Sequence, residues 1–114
     1  MKAVADYVHS RGLFFGLYTC AGTLTCKGGR PGSYGHYERD AQTLAGWGVD
    51  LVKMDHCHMP GNQSDRELYG RMSRALNATG RAITFSLCQW GEHDVVAWGS
   101  DVAQVVHLIH PSRS

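Results

Sequence analysis

The sequence predicts an α/β fold, and within that class a partial (β/α)8 (TIM) barrel of about three to four βα units. Helical and extended patterns alternate along the chain. The strand-length segments are continuous apolar runs, and these runs end in polar side chains on their C-terminal side. Such alternation means a parallel sheet with right-handed crossovers. Ligands of these folds sit beyond the C-terminal ends of the strands. Three or four strands do not close a barrel of eight, so the chain is expected to be a piece of a larger barrel. A complete small doubly wound domain is the alternative architecture.

The spacing predicts a helix over residues 2–10, with Val4, Tyr7 and Val8 on one face and Gly12 past its end. Residues 13–18, Leu-Phe-Phe-Gly-Leu-Tyr, read as a strand that is apolar on both faces and so should not be an edge. A glycine-rich loop follows, over about 19–35. It is long for a βα connection, and long ordered loops tend to be functional. A second helix over 36–46 places Tyr37, Ala41, Leu44 and Ala45 inward. The next strand lies in the stretch from Val49 to Cys57. A third helix over 65–78, capped by Ser64 or Asp65, points Leu68, Met72, Ala75 and Leu76 inward and stops before Gly80. A strand over 82–88, a short helix near 93–99 and a last apolar run over 103–109 complete the pattern.

The 114 residues are 43% hydrophobic with net charge +1. This is the composition of one globular domain or less, with no charge excess to favour nucleic acid or an anionic membrane surface. No apolar run reaches the roughly 20 residues of a membrane span. Residues 1–10 lack a secretory signal layout, because Lys2 and Asp6 interrupt any apolar core. The four cysteines, Cys20, Cys26, Cys57 and Cys88, show no paired Cys-x-x-Cys spacing for structural zinc. His56-Cys57-His58 looks like a ligand cluster, but adjacent residues rarely converge on one ion, and no metal or cofactor is expected. The sequons Asn62-Gln63-Ser64 and Asn77-Ala78-Thr79 tilt the reading toward an oxidising compartment.

The second strand carries the chemistry. Its apolar run ends in Lys53, Asp55, His56 and Cys57. In an extended chain Lys53 and Asp55 point to the same side, so an ammonium is expected beside a carboxylate, keeping it ionised. Such a carboxylate suits nucleophilic attack or charge stabilisation; a surface ion pair is the alternative reading. The first strand delivers Tyr18 and the third Cys88, Gln89 and Trp90. Aromatic faces, an amide and a charged pair suit a sugar. Glu38, Asp40 and Asp50 read as solvated or capping charges.

At these residues the chain resembles the retaining α-galactosidases of the melibiase type, glycoside hydrolase family 27. The resemblance rests on Gly22-Thr23-Leu24-Thr25-Cys26, Pro31-Gly32-Ser33-Tyr34-Gly35, the segment from Trp47 to Cys57, and Ser86-Leu87-Cys88-Gln89-Trp90-Gly91. It covers residues 1–104 as part of a catalytic barrel; residues 105–114 form a non-matching tail. It implies that Asp55 is the catalytic nucleophile and that Lys53 and Tyr18 bind galactose. It also implies that Cys26 and Cys57 form a disulfide beside the site, with Cys26 at the sugar. Cys88, Gln89 and Trp90 would contact the sugar near its 2-hydroxyl. Many members carry Glu where this chain has Gln89, so galactose recognition is expected to be weakened or retuned, not lost. The family's earlier aspartate pair and its later acid/base aspartate have no counterpart, and Asp101 is not assigned that role. The resemblance implies an α-galactoside as substrate, no cofactor, no nucleic-acid or membrane partner, and a secreted or lysosomal/vacuolar parent protein. This chain alone is expected to be inactive. An α-N-acetylgalactosaminidase and a non-catalytic sugar-binding remnant are the competing readings.

Overall fold

The computed structural model describes residues 1–61, 63–88 and 95–107. The elements run α1 (Lys2–Ser10), β1 (Gly16–Cys20), α2 (Tyr37–Gly46), β2 (Leu51–Asp55), α3 (Asp65–Ala78), β3 (Thr84–Cys88), α4 (Val95–Val102) and β4 (Val105–His107). The four strands pair in sequence order, β1-β2-β3-β4, and all pairs are parallel. Sequential order means that the winding never reverses, which is barrel topology; a doubly wound sheet changes direction at a switch point. The doubly wound alternative is therefore set aside.

One face of the sheet packs on the helices. Val52 and Met54 of β2 and Phe85 and Leu87 of β3 are buried there with Tyr37, Ala41 and Leu44 of α2, Leu68, Tyr69 and Met72 of α3, and Trp98 of α4. Alternation sends the other residues to the opposite face. In register these are Tyr18, Lys53 and Ser86 in one row, and Cys20, Asp55 and Cys88 in the next, at the C-terminal ends.

Helices α2 and α3 follow the predicted ranges closely. Ser64 is the N-cap of α3, its Oγ accepting from Glu67 N at 3.2 Å, and the four residues expected inward on α3 are buried. Three expectations need correction. In α1 the buried residue is Ala5, while Val4 and Tyr7 are exposed: the small residue faces the chain at Gly48, with the methyl of Ala5 within 4.0 Å of where a Cβ on Gly48 would stand. β1 begins three residues later than predicted, and Phe14 is 89% exposed. Pairing sets that start: Phe15 O receives Asp50 N at 2.7 Å, and Phe15 N donates to the Asp50 carboxylate at 2.8 Å. Hydrophobicity marked the apolar run, but only the partner strand defines where the ladder begins. Among the described strands β1 pairs with β2.

Asp50 is the third correction. Its carboxylate binds Phe15 N, His9 Nε2 at 2.6 Å and Arg81 Nη2 at 2.8 Å. It joins α1, the start of β1 and the start of β3 at the N-terminal end of the sheet. Burial alone would raise its pKa, but the hydrogen bonds from Phe15, His9 and Arg81 outweigh it and hold the carboxyl below its ordinary value. Glu38 is exposed and grips Arg71 through two nitrogens, linking α2 to α3.

Candidate active site

Asp55 ends β2 on the face away from the helices and is 7% exposed. A buried carboxylate needs donors. Those of Asp55 include Tyr18 Oη, 3.0 Å from Oδ2, and His56 N, 2.9 Å from Oδ1. Lys53 is its neighbour on the same strand face, yet the two form no ion pair among the described residues, so the expected ammonium–carboxylate contact is replaced by a phenol and an amide. The β-strand pleat allows both side chains one direction; it does not bring their heads together.

Tyr18 reaches Asp55 from the adjacent strand because Tyr18 pairs with Lys53, one row below Asp55. Burial, then its hydrogen bond and charge contact with Asp55, push the phenol pKa well up. The hydroxyl therefore stays protonated and donates. At 45% exposure the ring still presents a surface at the mouth of the sheet.

Cys26 and Cys57 form a disulfide beside this pair, and Tyr18 Oη lies 3.3 Å from Cys26 Sγ. The bridge pins the 21–35 loop over the end of β2. Backbone bonds hold it further: Thr23 N to His58 O at 3.1 Å, Ser33 N to Cys20 O at 2.8 Å and Gly32 N to Thr23 O at 3.0 Å. Glycine is required at two of these close approaches. A Cβ on Gly22 would overlap the carbonyls of Cys57 and His58, and one on Gly32 would overlap the carbonyl of Gly22. The sulfurs of Cys26 and Cys57 and an oxygen of Asp55 lie within 4.8 Å of one another. A disulfide offers no thiolate, so this trio does not fit a metal as it stands.

His56, Cys57 and His58 diverge. His56 is buried with Nε2 2.7 Å from Asp65 Oδ2, Cys57 is in the disulfide, and His58 is turned by a positive φ of 54°. Cys20 and Cys88 are buried in the same row as Asp55 and lie outside the bridge. The Cys20 thiol donates to Cys57 O at 3.0 Å, and burial raises its pKa. Gln89 and Trp90 lie outside the described residues, as do 108–114 of the tail. Sequence reasoning missed two residues near Asp55: Tyr69, whose hydroxyl donates to Asp55 O at 3.0 Å, and the Asp65 carboxylate on His56. The sequence marks Asp65 only as an alternative cap, and Tyr69 is not among the positions that helical spacing placed inward.

A family model described as alpha galactosidase A (Melibiase_2) matches residues 1–113. The chain belongs to the alpha-galactosidase A family. Within it, the chain is 53% identical to alpha-galactosidase 2 of Arabidopsis thaliana over 102 residues, which is 90% of this chain and 26% of that protein. It is 54% identical to the alpha-galactosidase of Coffea arabica, over 90% of this chain and 27% of that protein. Among solved structures it is similar to the alpha-galactosidase of Saccharomyces cerevisiae with raffinose, with TM-score 0.86 and 41% identity. That match covers 93% of this chain and 24% of the yeast chain. It is also similar to a putative alpha-galactosidase/melibiase from Bacteroides fragilis, with TM-score 0.88 and 44% identity, covering 95% and 23%. The chain thus spans about a quarter of the length of the relatives it matches. Family membership accounts for the sequential parallel sheet and for the polar residues at its C-terminal ends.

Proposed function

We propose that the protein carrying this chain is a retaining α-galactosidase that hydrolyses terminal α-linked galactose, and that Asp55 is its nucleophile. The observation that carries this is the buried Asp55 carboxylate at the end of β2, oriented by Tyr18 and its own following amide. In a retaining mechanism two carboxyl groups about 5–5.5 Å apart flank the scissile bond. Asp55 would attack the anomeric carbon and form a glycosyl-enzyme while the second carboxyl protonates the leaving oxygen. Water then attacks the anomeric carbon, the second group takes its proton, and Asp55 leaves. We assign that second role to no residue of this chain, and the chain alone is expected to give no turnover.

Tyr18 donates to one Asp55 oxygen and the His56 amide to the other, and together they hold the carboxylate in one orientation at the end of the strand. Lys53, Cys88, Gln89 and Trp90 are proposed as galactose contacts, with the Cys26 edge of the disulfide at the sugar. The yeast relative's structure with raffinose, an α-galactoside, supports this substrate class. The disulfide suits a secreted or vacuolar location. No helix among the described residues is long and apolar enough to cross a membrane.

The test is covalent trapping in the full protein. An activated fluorinated α-galactosyl donor should leave an adduct that peptide mass spectrometry maps to Asp55. Asp55→Asn should abolish both the adduct and hydrolysis of an aryl α-galactoside. An adduct on another residue would overturn the assignment.

A further inference from the structure

We infer that the start of α3 positions the nucleophile: Asp65 and Tyr69 fix the peptide joining Asp55 to His56, and that peptide fixes the Asp55 carboxylate. The inference rests on the glycosidase reading of Asp55 and extends it to two residues that bear no chemistry of their own.

The 55–56 peptide is held at every polar atom. Its carbonyl accepts from Tyr69 Oη at 3.0 Å and from Ala21 N at 2.9 Å. Its N–H donates to Asp55 Oδ1 at 2.9 Å. The next side chain, His56, is buried and lies against Asp65, with Nε2 2.7 Å from Oδ2. A peptide is planar, so its C=O and N–H turn together. Rotating the carbonyl away from Tyr69 therefore swings the N–H off the carboxylate and frees the Asp55 side chain to change its angle.

Both anchors come from one helix face. Asp65 is the first residue of α3 and Tyr69 follows at i+4, so they stack on the same side. Tyr69 is itself fixed: its ring centroid lies 6.4 Å from that of Phe85 and 6.2 Å from that of Trp98. Burial and the Asp65 charge hold its phenol protonated, so it remains a donor. α3 in turn is capped by Ser64 and buries one face in the core. The rigid part of the fold thus reaches the attacking oxygen through two hydrogen bonds and one planar unit. Attack on an anomeric carbon is sensitive to misplacement on the ångström scale.

The experiment compares Tyr69→Phe, Asp65→Ala and Asp65→Asn in the full protein with wild type. Three quantities are read: kcat with an aryl α-galactoside, the trapping rate with the fluorinated donor, and the dissociation constant for galactose. Tyr69→Phe and Asp65→Ala should each lower kcat and the trapping rate about tenfold or more while galactose affinity stays within about twofold. Asp65→Asn keeps an oxygen for the imidazole and should recover most of the rate. Melting curves run in parallel. Equal losses of rate and galactose affinity that track the melting temperature, with no recovery in Asp65→Asn, would overturn the positioning role. Wild-type turnover that survives Asp55→Asn would instead overturn the nucleophile, and the positioning claim with it.

Discussion

Replacing Cys26 and Cys57 together by alanine is expected to cost about 3–4 kcal/mol of stability, almost all of it through the unfolded chain. The bridge spans 31 positions. Closing a loop of that size removes about 12 cal/mol/K of unfolded-state entropy, or about 3.7 kcal/mol at 25 °C. The native side loses little. The 21–35 loop keeps its backbone bonds to Cys20 and His58, and the Leu24–Pro31 bridge within it. Tyr18 keeps Asp55 as its acceptor. The assay is urea denaturation of oxidised wild type and the double variant. With a slope of about 1–3 kcal/mol/M, the midpoint should fall by about 1–4 M. Reducing the wild type with a dithiol should reproduce the shift, and the double variant should be indifferent to the dithiol. A stability loss under about 1 kcal/mol would refute the reasoning, because loop closure would then contribute far less than chain statistics require.

Further outcomes concern the ends of the sheet. Asp50→Ala removes the acceptor shared by Phe15 N, His9 and Arg81, and breaking a partly buried charged network of this kind should cost about 2–4 kcal/mol in the same denaturation assay. Because the Asp50 carboxyl is held below its ordinary pKa, the stability it provides is fully present above the unfolded value near 3.8 and is lost as pH falls through the lower folded value. Asp50→Asn should therefore flatten the acid limb of a stability–pH curve below about pH 4, and an unchanged limb would discount the network. Gly22→Ala drives a Cβ into the carbonyls of Cys57 and His58; it should destabilise by about 1–3 kcal/mol and weaken galactose binding in the full protein, whereas Gly29→Ala, which meets open space, should do neither.

Much of the fold was legible because it is written locally. Helical spacing of Leu68, Met72, Ala75 and Leu76 located α3 and its inner face, and the apolar run into Lys53 and Asp55 located β2 and its functional end. The family resemblance supplied the Cys26–Cys57 pairing, which spacing alone left open. Where the reading failed, the deciding partner was remote in sequence. Asp50 looked like a surface charge until Phe15, 35 positions away, and His9, 41 positions away, were brought to it. The start of β1 depended on the same contact.

The sequence by itself determined the order of elements, the α/β class, the carboxylate at the end of β2 and the loop that lies over it. Periodicity and residue type report those directly, since they are properties of neighbours along the chain. The tertiary structure decided that the sheet is wound in one direction, that Tyr18 and not Lys53 bonds the Asp55 carboxylate, and that α3 holds the peptide beneath it. Those depend on strand register and helix placement, which pair atoms from distant segments, and a change of one residue in register would turn each of these side chains to the other face of the sheet.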